Sequence, residues 1–373
     1  MIQDNKEQVE LIDLIKTLCR IPAPSGKERA RAEFVCNWLA GCCPNSDVFI
    51  DDADNAVLRM GAKGPYTIFM AHTDTVFPDL EPFEVIEQGN RLYCPGIGDD
   101  TANLAMLMCA AKSLYNSGAE TLPALFVADS GEEGLGNLRG CRRLMEDYAG
   151  NIKQVVSFDG KMGELNNRAV GSIRYRVTVS AEGGHSYSSF GASNAIELTA
   201  RLVKDLYEIT PPENPYGKAT FNVGVITGGT SVNTIAENCE MLFEIRACDR
   251  NDLEMLEKEF YAAVNRIKPL VKKIEIDIVG ERPCGINLSK QQSELEEIAI
   301  KQIIRVTGKH PDVKPGSTDA SLPISLGIPA ITLGAYCGGE MHNRNEWIDT
   351  DSLTDGLELV SSLVLDLIGV KGK

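Results

Sequence analysis

Apolar positions along the chain repeat with two different periods. Val9, Leu11, Ile12, Leu14, Ile15, Leu18 and Cys19 recur at helical spacing, and Ile21-Pro22-Ala23-Pro24 stops the helix they predict. Ser25-Gly26-Lys27-Glu28 reads as a capping box that opens a second helix through about Leu39. Unbroken apolar runs then alternate with helical patterns. Tyr66 to Ala71 predicts a buried strand ending at His72, and Asn103 to Tyr115 a buried helix. Leu122 to Ala128 predicts a strand ending at Asp129, Leu138 to Tyr148 a helix, and Val155 to Phe158 a strand ending at Asp159. Apolar strands separated by helices predict an α/β fold with a mostly parallel sheet flanked by helices.

The period changes after residue 170. Ser172 to Ala181 alternates (Ile173, Tyr175, Val177, Val179), as a half-exposed strand does. A helix at Ala195 to Tyr207, strands at Ala219 to Val225 and Glu240 to Arg246, a helix at Leu253 to Ile267 and a strand at Lys273 to Val279 follow. The order βαββαβ predicts a ferredoxin-like α+β domain at 171–281, inserted into a discontinuous domain formed by 1–170 and 282–373. The outer domain resumes with helices near Ser293 to Thr307 and Asp351 to Ile368 and a strand at Ala330 to Leu333.

A length of 373 residues fits two domains rather than one core. The net charge of -16 disfavours nucleic acid and anionic membranes as partners. No apolar stretch has the length of a membrane span, and Met1 to Glu7 lacks a basic then apolar leader, so a cytoplasmic location is the default expectation. The eleven cysteines are odd in number and contain no C-x-x-C pair, which predicts reduced thiols acting as small core residues.

Polar groups collect where the predicted strands end, the edge at which open α/β sheets form their ligand crevices. His72-Thr73-Asp74 puts an imidazole and a carboxylate on one side of an extended segment. Gly96-Ile97-Gly98-Asp99-Asp100 delivers carboxylates before a helix, Glu132-Glu133 follows a strand, and Asp159 follows another. His342 lies in the polar loop Met341-His342-Asn343-Arg344-Asn345-Glu346. A lone Asp at a strand end is usually a cap or turn former. Here, however, two of only four histidines fall in carboxylate-rich loops, and a third, His185, follows Gly183-Gly184. Imidazole and carboxylate together suit a divalent metal, and adjacent glutamates can divide metal binding from proton transfer.

The ordered series H-T-D-T-V, G-x-G-D-D, E-E-G, F-D-G, G-G-H-S, N-T-I, E-I-R, S-T-D-A and M-H-x-x-N-E resembles the M20 family of metallopeptidases and amidohydrolases over nearly the whole chain. Its peptidase T-like branch looks nearest. The resemblance implies two zinc ions, with cobalt or manganese as alternatives. His72 and Asp159 would hold one, Glu133 and His342 the other, and Asp99 would bridge them. It implies Glu132 as general base and later acid, and Asp74 as the group that orients His72. His185 would stabilise the oxyanion, Asn233 and Arg246 would contact substrate, and Gly316, Ser317, Thr318 and Asp319 would line its pocket. Thr101, Ala236 and Pro315 stand where many relatives have Lys, Pro and Gly, which bears on specificity and not on the ligands.

Two substrate classes follow from the resemblance. Asp at position 159 is the residue that relatives acting as aminopeptidases or dipeptidases tend to carry, which favours short peptides cut in the aminopeptidase or tripeptidase manner. Removal of an acyl group from an N-acyl amino acid is the alternative. A non-catalytic binding protein on the same scaffold would have lost a ligand or the base, and every such position is intact. The family often dimerises through the insert, so a homodimer is an implied partner, with His185 acting in its own chain or in a second copy.

Overall fold

The computed structural model describes residues 2–369; Met1 and 370–373, which the expected outer domain included, lie outside them. The chain divides into two compact units, Met1–Ala169 with Asn287–Lys373, and Val170–Ile286.

The first unit is built on a mixed sheet. Its strands lie in the order Asp47–Ile50, Ala56–Met60, Ala124–Asp129, Tyr66–His72, Ile152–Phe158, Ala330–Leu333 and Glu164–Ala169, with Asp312–Gly316 against the last. Tyr66–His72 is parallel to both of its neighbours, and Ala330–Leu333 is parallel to Ile152–Phe158. The flanks are antiparallel at Asp47–Ile50, Ala56–Met60 and Glu164–Ala169. The hydrophobic pattern predicts none of these three flank strands. They are short and carry charged or amide residues, as Glu164-Leu165-Asn166-Asn167-Arg168-Ala169 shows, so they lack the unbroken apolar signature of the centre.

That signature has a packing cause. Phe69 and Ala71 face one helical layer with Leu18, Met106, Leu107 and Leu363, while Ile68 and Met70 face another with Leu144 and Ile324. Both faces are covered, so every position of Tyr66–His72 is buried. Each fully buried Leu, Ile or Phe contributes roughly 1.5–3 kcal/mol.

One local expectation differs from the structure. The second helix runs Arg29–Cys42 without a side-chain cap. The Ser25 hydroxyl donates to Asp74 at 2.6 Å, and the Gly26 N–H donates to Glu28 Oε1 at 2.7 Å. The capping box does not form because Ser25 is engaged by a buried carboxylate 49 residues away.

The second unit is a four-stranded antiparallel sheet in the order Thr220–Gly228, Asn238–Ala247, Gly171–Ser180, Lys273–Arg282. Helices Ala195–Leu206 and Arg250–Ile267 are capped by Asn194 and Asp249. They bury Leu198, Leu202, Leu256 and Phe260 in one cluster with Tyr175, Val177, Val179 and Phe243 of the sheet. No helix among the described residues is long and apolar enough to cross a membrane.

Candidate metal centre

Three parallel strands deliver the centre. His72 ends Tyr66–His72 and stands in register with Asp129 at the end of Ala124–Asp129, while Asp159 follows Phe158. All three lie at the carboxyl edge of the parallel core, where strand-to-helix loops diverge.

The His72 ring is fixed on both nitrogens. Nδ1 lies 3.0 Å from the Asp74 backbone carbonyl, and Nε2 lies 3.0 Å from Asp99 Oδ1. A proton on Nδ1 donated to the carbonyl leaves the Nε2 lone pair free for a cation. The Asp74 carboxylate is 3.5 Å from Nδ1 and is mainly occupied elsewhere. Its Oδ1 accepts the Glu132 N–H at 3.0 Å, and its Oδ2 accepts the Glu133 N–H at 2.9 Å and the Ser25 hydroxyl. Asp74 thus ties the His72 strand end to the Glu132-Glu133 turn, beyond the single orienting contact expected of it.

Asp99 sits between the two histidines. Its Oδ1 faces His72 Nε2 and its Oδ2 faces His342 Nε2, each at 3.0 Å. His342 Nε2 is also 3.0 Å from Glu133 Oε1. Two sets of ligand atoms therefore converge, each within 4.8 Å: His72, Asp99, Asp100 and Asp159, and Asp99, Glu133 and His342. Asp99 belongs to both. A third overlapping set is His72, Glu132 and Glu133.

The electrostatics are those of a centre that needs cations. Burial, followed by the charges of Asp99 and Glu133, pushes the Asp159 carboxyl up to about 7. Burial likewise raises Asp100 well above the usual range, with Asp159 and Asp99 adding to it. Burial pushes Asp99 up too, but hydrogen bonds from His342 and His72 outweigh it and leave Asp99 below its ordinary value. The same bonds to Asp99 and Glu133 lift His342 to about 11. Burial would lower His72, yet Asp100, Asp74 and Asp99 hold it well above normal. Carboxylates packed this closely are mutually destabilising, and divalent cations with mixed N and O ligands relieve that repulsion. The donor set fits a pair of metal ions.

Residues 68–366 match the sequence profile of peptidase family M20/M25/M40, a span that contains every member of the three ligand sets described above. The chain belongs to that family. Among its relatives is acetylornithine deacetylase of Buchnera aphidicola, 23% identical over 337 residues that cover 86% of this chain and 84% of the relative. Its fold is shared by aminopeptidase PepT of Bacillus cereus, at a TM-score of 0.77 and 20% identity over 96% of this chain and 98% of that one. A Staphylococcus aureus tripeptidase superposes with a TM-score of 0.78 at 19% identity, over 96% of this chain and 98% of that one. This M20 chain is thus a hydrolase-family protein with a metal-binding cluster, on the mixed α/β fold of the family.

The remaining expected site residues of the M20 chain are carried by both units. His185 pairs with Thr234 across a short antiparallel ladder, and Ser186 donates its N–H to the Asn233 carbonyl at 3.0 Å. His185 and Asn233 are thereby neighbours in the second unit. The His185 ring is exposed, and Nδ1 accepts the Tyr187 N–H at 3.2 Å, which leaves Nε2 as the outward donor. Arg246 is half-buried and bidentate on Glu244, at 2.9 and 3.1 Å. In the first unit Gly316 lies against Asn166, and the Thr318 hydroxyl meets that of Thr332 at 2.6 Å; Ser317 stands between them. Asp319 is buried; burial, followed by the Asp129 charge, raises its carboxyl well above the usual range, and burial raises that of Asp129 to about 6.

Two buried acids next to the ligands were not assigned by sequence reasoning. Asp100 accepts the His72 N–H at 3.0 Å and Asn103 Nδ2 at 2.7 Å. Glu346 accepts three backbone N–H groups of the Asp99 loop. Their only signal was position, as the second Asp of G-x-G-D-D and the last residue of M-H-x-x-N-E.

Proposed function

We propose that this chain is a two-metal hydrolase of the peptidase T-like kind, acting in the cytoplasm on amide bonds of short peptides as an aminopeptidase or tripeptidase. The observation that carries the reading is the sharing of Asp99 by two converging ligand sets, with Glu132 in a third set beside them. His72 and Asp159 would hold one ion, Glu133 and His342 the other, and Asp99 both. When bound, such a pair of cations, zinc first and cobalt or manganese as alternatives, polarises the scissile carbonyl and acidifies water.

The chain's own residues do the rest. Asp74 fixes the peptide planes of Glu132 and Glu133, so the two side chains leave one turn on separate tasks. Glu132 takes a proton from the attacking water and returns it to the leaving nitrogen. His185 donates to the developing oxyanion, from this chain or a second copy in a homodimer, and Asn233, Arg246, Gly316, Ser317 and Thr318 contact substrate. The free thiols suit a reducing compartment.

The names aminopeptidase and tripeptidase carried by the structural neighbours support the peptide reading, as does Asp at position 159. The acetylornithine deacetylase relative favours a second reading, an N-acyl amino acid deacylase. Di- and tripeptides assayed beside N-acyl amino acids separate the two, and turnover of the acyl compounds alone would overturn the first. Glu132→Gln is expected to retain bound metal and lose at least about a hundredfold in kcat; unchanged kcat removes Glu132 as the base. Mixing His185→Ala and Glu132→Gln chains distinguishes the source of His185, since activity recovered only in the mixture requires supply from a second copy.

A further inference from the structure

We infer that Glu346 is a positioning residue that presets the Asp99 carboxylate between the two histidines before any cation binds. This rests on the proposed reading of Asp99 as the shared metal ligand.

Glu346 is only 1% exposed. Its Oε2 accepts the Gly96 N–H at 2.8 Å, and its Oε1 accepts the Gly98 N–H at 2.9 Å and the Asp99 N–H at 2.8 Å. Its own carbonyl accepts the Cys94 N–H at 3.0 Å. A single residue is therefore bonded along the segment 94–99, across about 250 positions of sequence.

The loop has few other ways to satisfy those amides. Gly96 has φ +71°, and a Cβ on Gly98 would stand 2.5 Å from the Tyr336 ring, so the segment runs tight against packed side chains. All residues from Ile97 to Ala102 are buried. Buried N–H groups left unpaired are strongly disfavoured, and a carboxylate accepts several at once through charge-assisted bonds. The acceptor must lie on the side away from the ligand face so that the Asp99 side chain remains free.

The same residue also places His342, four positions earlier. Glu346 donates its N–H to the Asn343 carbonyl at 3.0 Å, closing a turn behind the histidine. Trp347–Asp349 then pairs with Arg91–Tyr93, in the register Trp347 to Tyr93. Asp99 Oδ2 and His342 Nε2, which meet at 3.0 Å, are thus carried by two loops that one carboxylate fastens together. Each of these bonds joins protein groups and needs no cation to form.

The test uses Co2+ titrated into the metal-free full-length chain by calorimetry, with amide exchange followed residue by residue. Glu346→Gln keeps the volume and one acceptor oxygen but turns an NH2 toward a donor. It is expected to weaken Co2+ binding by roughly 10–100-fold, the usual consequence of losing a group that orients a ligand. The metal-induced rise in melting temperature should shrink with it. A mere staple would lower the melting temperature of the metal-free protein and leave that rise unchanged, which overturns the inference.

Should Glu346→Gln not fold, the unsubstituted metal-free chain still decides. Slow exchange at Gly96, Gly98 and Asp99 supports preorganisation, and fast exchange at these amides refutes it. Asp99→Asn separates the two levels. If it binds Co2+ as the native chain does, the site reading fails; if it loses Co2+ while Glu346→Gln does not, the clamp alone fails.

Discussion

Asp74 offers the most direct test of how the centre is held. Its side chain is fully buried and accepts the Glu132 and Glu133 amides at 3.0 and 2.9 Å, with the Ser25 hydroxyl as a third donor. The Ser25 hydroxyl has a second acceptor in the Glu133 carbonyl at 3.3 Å, so an Asp74→Ala chain strands only the two amides. Each buried amide without an acceptor costs about 1–3 kcal/mol, which places Asp74→Ala at roughly 2–6 kcal/mol of local destabilisation. Asp74→Asn keeps one oxygen for one amide and offers an NH2 to Ser25, so its cost is about half. Amide exchange at Glu132 and Glu133 in the metal-free chain reads this directly. A local opening made easier by about 2 kcal/mol accelerates exchange roughly 30-fold. Asp74→Ala should accelerate both amides and Asp74→Asn mainly one, with kcat falling in the same order because Glu132 sits on the turn. Two unaffected amides in the Ala variant, or opened amides with native kcat, would refute the link from Asp74 to the position of Glu132.

In the metal-free chain, Asp159 should make stability fall as pH rises. Its folded pKa of about 7 exceeds the unfolded value near 3.9, so the folded chain holds that proton more tightly, and the penalty grows from about pH 4 to pH 7. The bound is about 4 kcal/mol, and because the side chain retains some solvent contact the expected effect is on the order of 1–2 kcal/mol. Asp159→Asn should therefore melt above the native metal-free chain at pH 8 and level with it at pH 4, and below it once metal is added; an offset equal at both pH values contradicts the cause given. Gly98→Ala forces a Cβ to within 2.5 Å of Tyr336. It is expected to cost about 1–3 kcal/mol by thermal melting, and combination with Tyr336→Leu should cost less than the sum; strict additivity would mean that the two residues do not collide.

The sequence by itself determined the central strands and helices and the family to which the chain belongs. Tyr66 to Ala71 is legible because burial on both faces demands an unbroken apolar run, and Gly171–Ser180 because burial on one face demands alternation. The histidines and carboxylates were legible because they stand at the ends of those runs. Flank strands such as Glu164–Ala169 were not, since their partly buried polar residues carry no unbroken apolar signature. Tertiary structure alone decided how the groups share one another. Only folding brings Ser25 to Asp74, Asp74 to both glutamate amides, and Glu346 to the Asp99 loop. It also buries Asp319 within reach of the Asp129 charge. The physical reason is range. Hydrophobic periodicity is written by each residue's immediate neighbours, whereas a buried carboxylate takes whichever N–H groups the packed chain delivers, here from up to about 250 positions away.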